Sequence, residues 1–479
     1  MKKNYFLTLL FSSTIAFSQT QIGNTINGIA ANEESGYSVA LSGNGNIVAI
    51  GAPKNNSGKG RARVFQNSAG TWNQIGSDIV GLQANGQTGY SVSLSDDGTV
   101  LAVGTPYGGG PPGTVSIYKN VSNVWTQIGG NISGEAGDDW NGLSVSLSSD
   151  GNVIAIGAPG NDANAVNSGD RGHVRVFRNV GNIWTQIGAD IDGLTNYGFS
   201  GWSVSLSDDG TVVAVGAYND GPGSVRIYKN NSNVWTQIGS VINAEVGGDN
   251  FGESVSLSGD GMVVAIGGSD TTASNNYKGQ VSIYKNIANI WTQIGATIDG
   301  APGSGSGKSV SLSNDGSMVA IGGYLYDSAR GQCKIFKNIS GNWIQTASDI
   351  NGSAIIDYSG YSVSLSSDGS AVAIGARYAD NNSVTNSGHV RIFSLQGILK
   401  TDDYILQNFT VSPNPATDFV NIILQKNLVL ERVNVYTTLG QLIKSSTASK
   451  ISVQDLSKGN YYFEIITNKG KATKKIIVE

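Results

Sequence analysis

Apolar and polar residues alternate with a period of two over short runs along most of this chain, and each run breaks at a glycine-containing turn. One phrase recurs: Gly-x-Ser-Val-x-Leu-Ser, a tight turn, then x-Val-Ala-Ile-Gly-Ala or a close variant. Its Ser-Val pair falls at Ser38, Ser91, Ser144, Ser203, Ser254, Ser309 and Ser362, 51 to 59 residues apart. A second phrase, Gly-x-Val-x-Ile-Tyr-Lys-Asn, follows in each copy. A third, Trp-Thr-Gln-Ile-Gly, begins at Trp125, Trp184, Trp235 and Trp291, with looser versions at Trp72 and Trp343. The alternating first phrase predicts a half-buried strand. The nearly continuous apolar second segment, such as Val212–Ala217, predicts a strand covered on both faces. The turns between them, Asp-Asp-Gly at 96–98 and 208–210, supply the positive φ that a tight hairpin needs.

Seven copies of four antiparallel strands predict an all-β fold: a seven-bladed β-propeller over residues 19–397. The seventh copy lacks its Trp-Thr-Gln-Ile-Gly strand after Phe393. The missing strand stands at the other end of the body as Gln19-Thr20-Gln21-Ile22-Gly23, with Gln19 in the tryptophan register. The N-terminal strand is therefore expected to complete the seventh blade and remove an open sheet edge.

The string Gly-Tyr-Ser-Val-x-Leu-Ser…Val-Ala-Ile-Gly-Ala-Pro…Gly-x-Val-x-Val-Phe resembles the FG-GAP repeats of integrin α-like propellers, and most closely their bacterial relatives. That resemblance would bring calcium-binding loops between the first two strands. Here those loops hold at most two adjacent carboxylates, Asp96-Asp97 or Asp208-Asp209, too few for six to eight oxygen ligands, so no calcium, other metal or cofactor is assigned. The segment 407–479 follows a linker at 398–406 and reads as a small β-sandwich. Its Pro413, Asn414, Pro415, Asn421, Gly440, Gly459, Tyr461, Lys474 and Lys475 stand in an order that resembles the type A C-terminal sorting domain of the type IX secretion system in Bacteroidetes. The resemblance implies transport across the outer membrane by that machinery, and a secreted or surface location.

Charge and composition narrow the picture. The chain has 479 residues, 66 of them glycine, one cysteine and two histidines, and a formal net charge of −5. Lys2 and Lys3 precede an apolar stretch from Tyr5 to Phe17, so residues 1–18 read as a signal peptide, leaving no transmembrane anchor after cleavage. The C-terminal part is basic, with nine Lys/Arg against five Asp/Glu from Tyr404 onward, so residues 19–403 carry −11. That argues against nucleic acid. A lone Cys333 excludes intramolecular disulfides.

In each copy the loops joining strands two to three and four to one are long and variable, and strand alternation puts both sets on one face. Function concentrates in such loops. The ligand-binding candidates there are Tyr107, Asp138, Asp139, Trp140, Tyr218, Asp220, Asp249 and Tyr324, because aromatic faces beside carboxylates suit sugar rings and their hydroxyls. No carboxylate pair has a spacing that marks a glycosidase, and His173 and His389 occupy equivalent repeat positions, which reads as structural. No catalytic residue is assigned. The expectation is a non-enzymatic binding or adhesion protein for a glycan or protein ligand. A polysaccharide-acting enzyme using the same face and a structural surface-layer component are the alternatives.

Overall fold

The computed structural model describes residues 19–108, 112–162, 169–245, 250–269, 276–381, 383–395, 409–425, 428–437, 441–467 and 470–479. The expected signal segment 1–18 and linker 398–406 lie outside them. The chain divides into two compact units, Met1–Ser394 and Leu395–Glu479.

The first unit contains seven antiparallel sheets. In copy three, Ser144–Leu147, Val153–Ala158, His173–Val180 and Ile183–Gln186 pair in order, and a two-residue strand, Ile191–Asp192, adds to the free part of the third. This fifth strand recurs in every sheet and was not expected, because two residues carry no readable alternation. The second strand is buried along its whole length in copies three to seven. It packs against the neighbouring sheet: Ala102, Val115 and Ile117 of copy two share a core with Leu147, Ile154 and Ile156 of copy three.

Hydrogen bonds tie each sheet to the next, and the series returns to its start. The Ser-Val serine donates its hydroxyl to a glycine carbonyl of the following copy: Ser38 to Gly89, Ser91 to Gly142, Ser144 to Gly201, Ser203 to Gly252, Ser254 to Gly307, Ser309 to Gly360, and Ser362 back to Gly36 at 2.8 Å. The hairpin turns form a second circuit of backbone bonds, from Gly43 to Asp96, Ser149, Asp208, Gly259, Asn314 and Ser367, with Asp368 donating to Gly43. The residue before the turn glycine, Asp97 for example and Asn44 in copy one, accepts the hydroxyl of the preceding serine and a following backbone amide, here Ser95 and Thr99, so its oxygens are spent on shaping the turn.

Residues 19–27 join the first and seventh sheets. Thr20 pairs with Ser394, Gln21 with Phe393, and Ile26 with Val390. Ile26, Ala373 and Ile392 share a core with Leu41, Val48 and Ile50. Each repeat tryptophan donates its indole N–H to the carbonyl of an isoleucine in the preceding copy. Trp72 reaches Ile22 at 2.8 Å, Trp125 reaches Ile75 and Trp235 reaches Ile187. Gln19, in the tryptophan register, does the same work with its amide, donating to the Ser348 carbonyl of copy six at 2.6 Å.

Cys333 is fully buried, and burial pushes its thiol up to about 12, which leaves it an inert apolar filler. His389 is buried with its Nε2 unpartnered; burial, reinforced by Arg391, lowers its pKa from 6.5 to about 4. An unfolded imidazole takes up its proton first, so this contribution is complete above pH 6.5 and is lost as the pH falls toward 4, about 3 kcal/mol in all. His389→Gln, which copies Gln280 and Gln332 of copies five and six, is expected to reduce the stability lost between pH 7 and 4.5 in urea unfolding. An unchanged loss would refute this account.

The second unit holds a three-stranded sheet, Phe409–Ser412, Phe419–Leu424 and Lys450–Ser452, and a four-stranded sheet of Leu442–Ser446, Leu430–Thr437, Gly459–Thr467 and Gly470–Val478. The two enclose one core around Phe409, Val420, Val435, Phe463 and Ile476. Asn414 fastens the Pro-Asn-Pro turn to the last strand: its side-chain amide donates to the Lys475 carbonyl and its oxygen accepts the Ile477 amide. Asn421 pairs with Ser412, the Tyr461 hydroxyl donates to the Ser457 carbonyl, and the Lys474 ammonium lies 5.4 Å from the Phe409 ring centre. Gly459 begins its strand, and Gly440 falls outside the described residues. Among the described residues no helix is long and apolar enough to cross a membrane.

Candidate functional site: an aromatic arc on the loop face

The residue just before each Ser-Val pair opens the first strand at the loop end. Down the seven copies it is Tyr37, Tyr90, Leu143, Trp202, Glu253, Lys308 and Tyr361. Four residues before each serine the chain takes a left-handed turn, and there stand Glu34, Gln87, Trp140, Phe199, Asn250, Gly305 and Tyr358, all with φ between 51° and 58°. A positive φ is uncommon outside glycine, so the repeat imposes this bend on bulky side chains. The first residues of several two-to-three loops, Tyr218, Tyr324 and Arg377, point into the same zone.

Together these rings form one connected arc. Tyr218 stacks on Phe199 at 5.7 Å, Phe199 on Trp140 at 6.1 Å, and Trp140 meets Tyr107 at 6.2 Å. The arc continues through Tyr90, Tyr37 and Tyr361 to Tyr324, Tyr358 and Tyr378. Between the two ends of the arc copy five places Glu253, which pairs with Lys308 and accepts the Ser269 hydroxyl. Burial works against the Lys308 charge, but the Glu253 carboxylate more than offsets it and raises the ammonium pKa. Arg377 lies 4.0 Å from the Tyr361 ring centre and 4.4 Å from that of Tyr378, and pairs with Glu34 at 3.4 Å. Burial raises the pKa values of Tyr37, Tyr90 and Tyr107, so these phenols stay protonated and serve as hydroxyl donors, not bases. The arc therefore offers ring faces and hydroxyls around a few tightly paired charges.

Four of the expected residues, Tyr107, Trp140, Tyr218 and Tyr324, lie in this arc and are half-buried. Asp138 is exposed beside it. Two expected carboxylates are loop braces instead. Asp139 is buried and accepts the amides of Glu135 and Ala136. Asp220 is buried against Arg226 at 2.6 Å, and also accepts the hydroxyls of Thr195 and Ser224. Burial opposes its charge, but these donors hold its carboxyl below the usual range. Asp249 lies outside the described residues. Phe251, two residues further along that loop, is a core residue at 2% exposure. Tyr37, Tyr90, Glu253, Lys308, Tyr361 and Arg377 were missed. Reading one repeat position down the seven copies would have found all of these but Arg377, which stands at the start of a long loop.

Residues 410–479 match the secretion system C-terminal sorting domain. The chain is thus an all-β protein exported by the type IX machinery to the outer-membrane surface or beyond. No curated protein sequence matches it. Among solved structures it is similar to hydrazine synthase of Kuenenia stuttgartiensis, at 13% identity and a TM-score of 0.50, over 77% of this chain and 97% of that one. A protein of Bacteroides uniformis provisionally named as a 6-phosphogluconolactonase aligns at 14% identity and 0.48, over 66% of this chain and 85% of that one. The periplasmic gluconolactonase of Pseudomonas aeruginosa aligns at 15% and 0.46, with the same coverage. Two of these three neighbours carry gluconolactonase names and none is named as an FG-GAP protein, and at such identities the likeness concerns fold alone. The expectation that the chain is not an enzyme is overturned here: two of the similar structures carry gluconolactonase names, so the fold gives no ground for excluding catalysis.

Proposed function

We propose that the seven sheets are the blades of a closed, FG-GAP-like propeller, and that the aromatic arc binds a glycan at the cell surface and serves adhesion. The observation that carries this reading is the unbroken run of eleven ring side chains, from Trp202 and Tyr218 to Tyr378, brought together by loops of six copies. Flat rings beside hydroxyl donors complement the apolar faces and hydroxyl edges of sugars. The test is an array of bacterial, plant and algal polysaccharides probed with the full chain. Saturable binding that weakens at least tenfold in Trp140→Ala and in Tyr107→Ala is expected. A blank array with folded protein would overturn the glycan reading. Following the chain length of each bound polymer over time separates binding from turnover.

A further inference from the structure

At the start of the third strand in copy one, Arg61 stands between two carboxylates, those of Glu33 and Asp78. Copy three has Asp190 in the place of Asp78, but His173 in the place of Arg61. The His173 Nδ1 lies 3.7 Å from Asp190 and 3.9 Å from Glu135, too far for hydrogen bonds, and its Nε2 is buried without a partner. A permanent positive charge in one copy is thus replaced by an imidazole beside Asp190 and Glu135; the repeat counterpart of Glu33 is Asp139, and Glu135 stands four residues before it.

We propose that a divalent transition cation of the zinc class binds between Glu135, His173 and Asp190. The three ligand atoms lie within 4.8 Å of one another. Atoms spaced this way surround a point about 2.1–2.8 Å from each, so a small inward turn of Glu135 reaches zinc distances of about 2.0–2.2 Å. The ligands are already oriented. Gln186 donates to the far oxygen of Asp190 at 2.6 Å, and Asp139 holds the Glu135 backbone through its amide. Arg175 lies 3.7 Å from the other oxygen of Glu135, which leaves the oxygen facing His173 for the metal. Glu135 and Asp190 are partly exposed, so a cation has a path in and water can complete the coordination. His389 holds the same repeat position without this acidic pair: copy seven has Thr25 and Ser353 where copy three has Asp190 and Glu135.

The experiment titrates the untagged full chain with zinc chloride after chelator treatment, reading stoichiometry by calorimetry and melting temperature by circular dichroism. One zinc per chain and a rise in melting temperature are expected. His389→Gln should keep both. His173→Gln and Asp190→Asn should weaken zinc binding at least a hundredfold. His173→Arg places the copy-one guanidinium between Asp190 and Glu135; it should fold, melt at or above the metal-free parent, and bind no zinc. Absence of zinc binding, or binding unaffected by these three substitutions, would overturn the proposal.

Discussion

Deleting residues 19–26 is expected to lower the melting temperature of the ring by about 6 °C. The segment carries both strands that complete the seventh sheet, and it brings Ile26, at 6% exposure, into the core shared by copies one and seven. Burying one such side chain is worth about 2 kcal/mol, and the lost backbone bonds, including Ile22 to Ile392 and those of the Thr20–Gln21 strand, add about 1 kcal/mol each. The Trp72 indole loses its acceptor as well. A total near 5 kcal/mol corresponds to about 6 °C for a domain of this size. The strand His389–Ser394 would also be left with an open edge, so the truncated chain should self-associate. A synthetic peptide of residues 19–30 should restore part of the stability. Melting within 2 °C of the full chain would show that the ring does not depend on this strand.

Gly157→Ala is expected to cost about 3 kcal/mol. An added Cβ would sit 2.0 Å from the Gly201 carbonyl oxygen and 2.3 Å from the Ser144 hydroxyl, the two groups that bond copy three to copy four. The equivalent glycine in every copy meets the next sheet in the same way, at 1.9 to 2.3 Å. Backbone cannot retreat there without opening the inter-sheet seam. Gly130→Ala, which meets nothing within 4 Å, is the control and should be neutral to within about 0.5 kcal/mol. Equal stability of the two variants in denaturant titration would refute close approach as the reason for glycine.

The periodic part of the fold was legible in the sequence because the repeat is written seven times, and strand-forming side chains alternate within each copy. The N-terminal contribution was legible because Gln19-Thr20-Gln21-Ile22-Gly23 copies a phrase that copy seven lacks. The aromatic loops were legible in outline, since Tyr107 and Trp140 depart from the repeat. Which polar loop residues face a ligand was not. Asp138 and Asp139 are neighbours of the same type, yet one is exposed and the other folds inward onto two amides; that difference comes from the left-handed turn at Asp138 and Trp140, which composition does not encode. The residues before each Ser-Val pair escaped notice because they sit inside the repeated phrase, where variation looks like noise.

Pairing Thr20 with Ser394 has a consequence in time. Within residues 19–394 the strand Thr20–Gln21 waits for His389–Ser394, so the ring stays open until almost the whole body exists. An open solenoid can nucleate anywhere and grow by one unit, but this chain must meet its own beginning, a long-range event that makes closure a late and slow step. The same constraint locks the number of copies. Losing or duplicating one would change the angle at every seam and move the N-terminal strand out of reach of its partner, so sequence drift in this protein is channelled into the loops, where Tyr, Trp, Glu and Lys already alternate at one position.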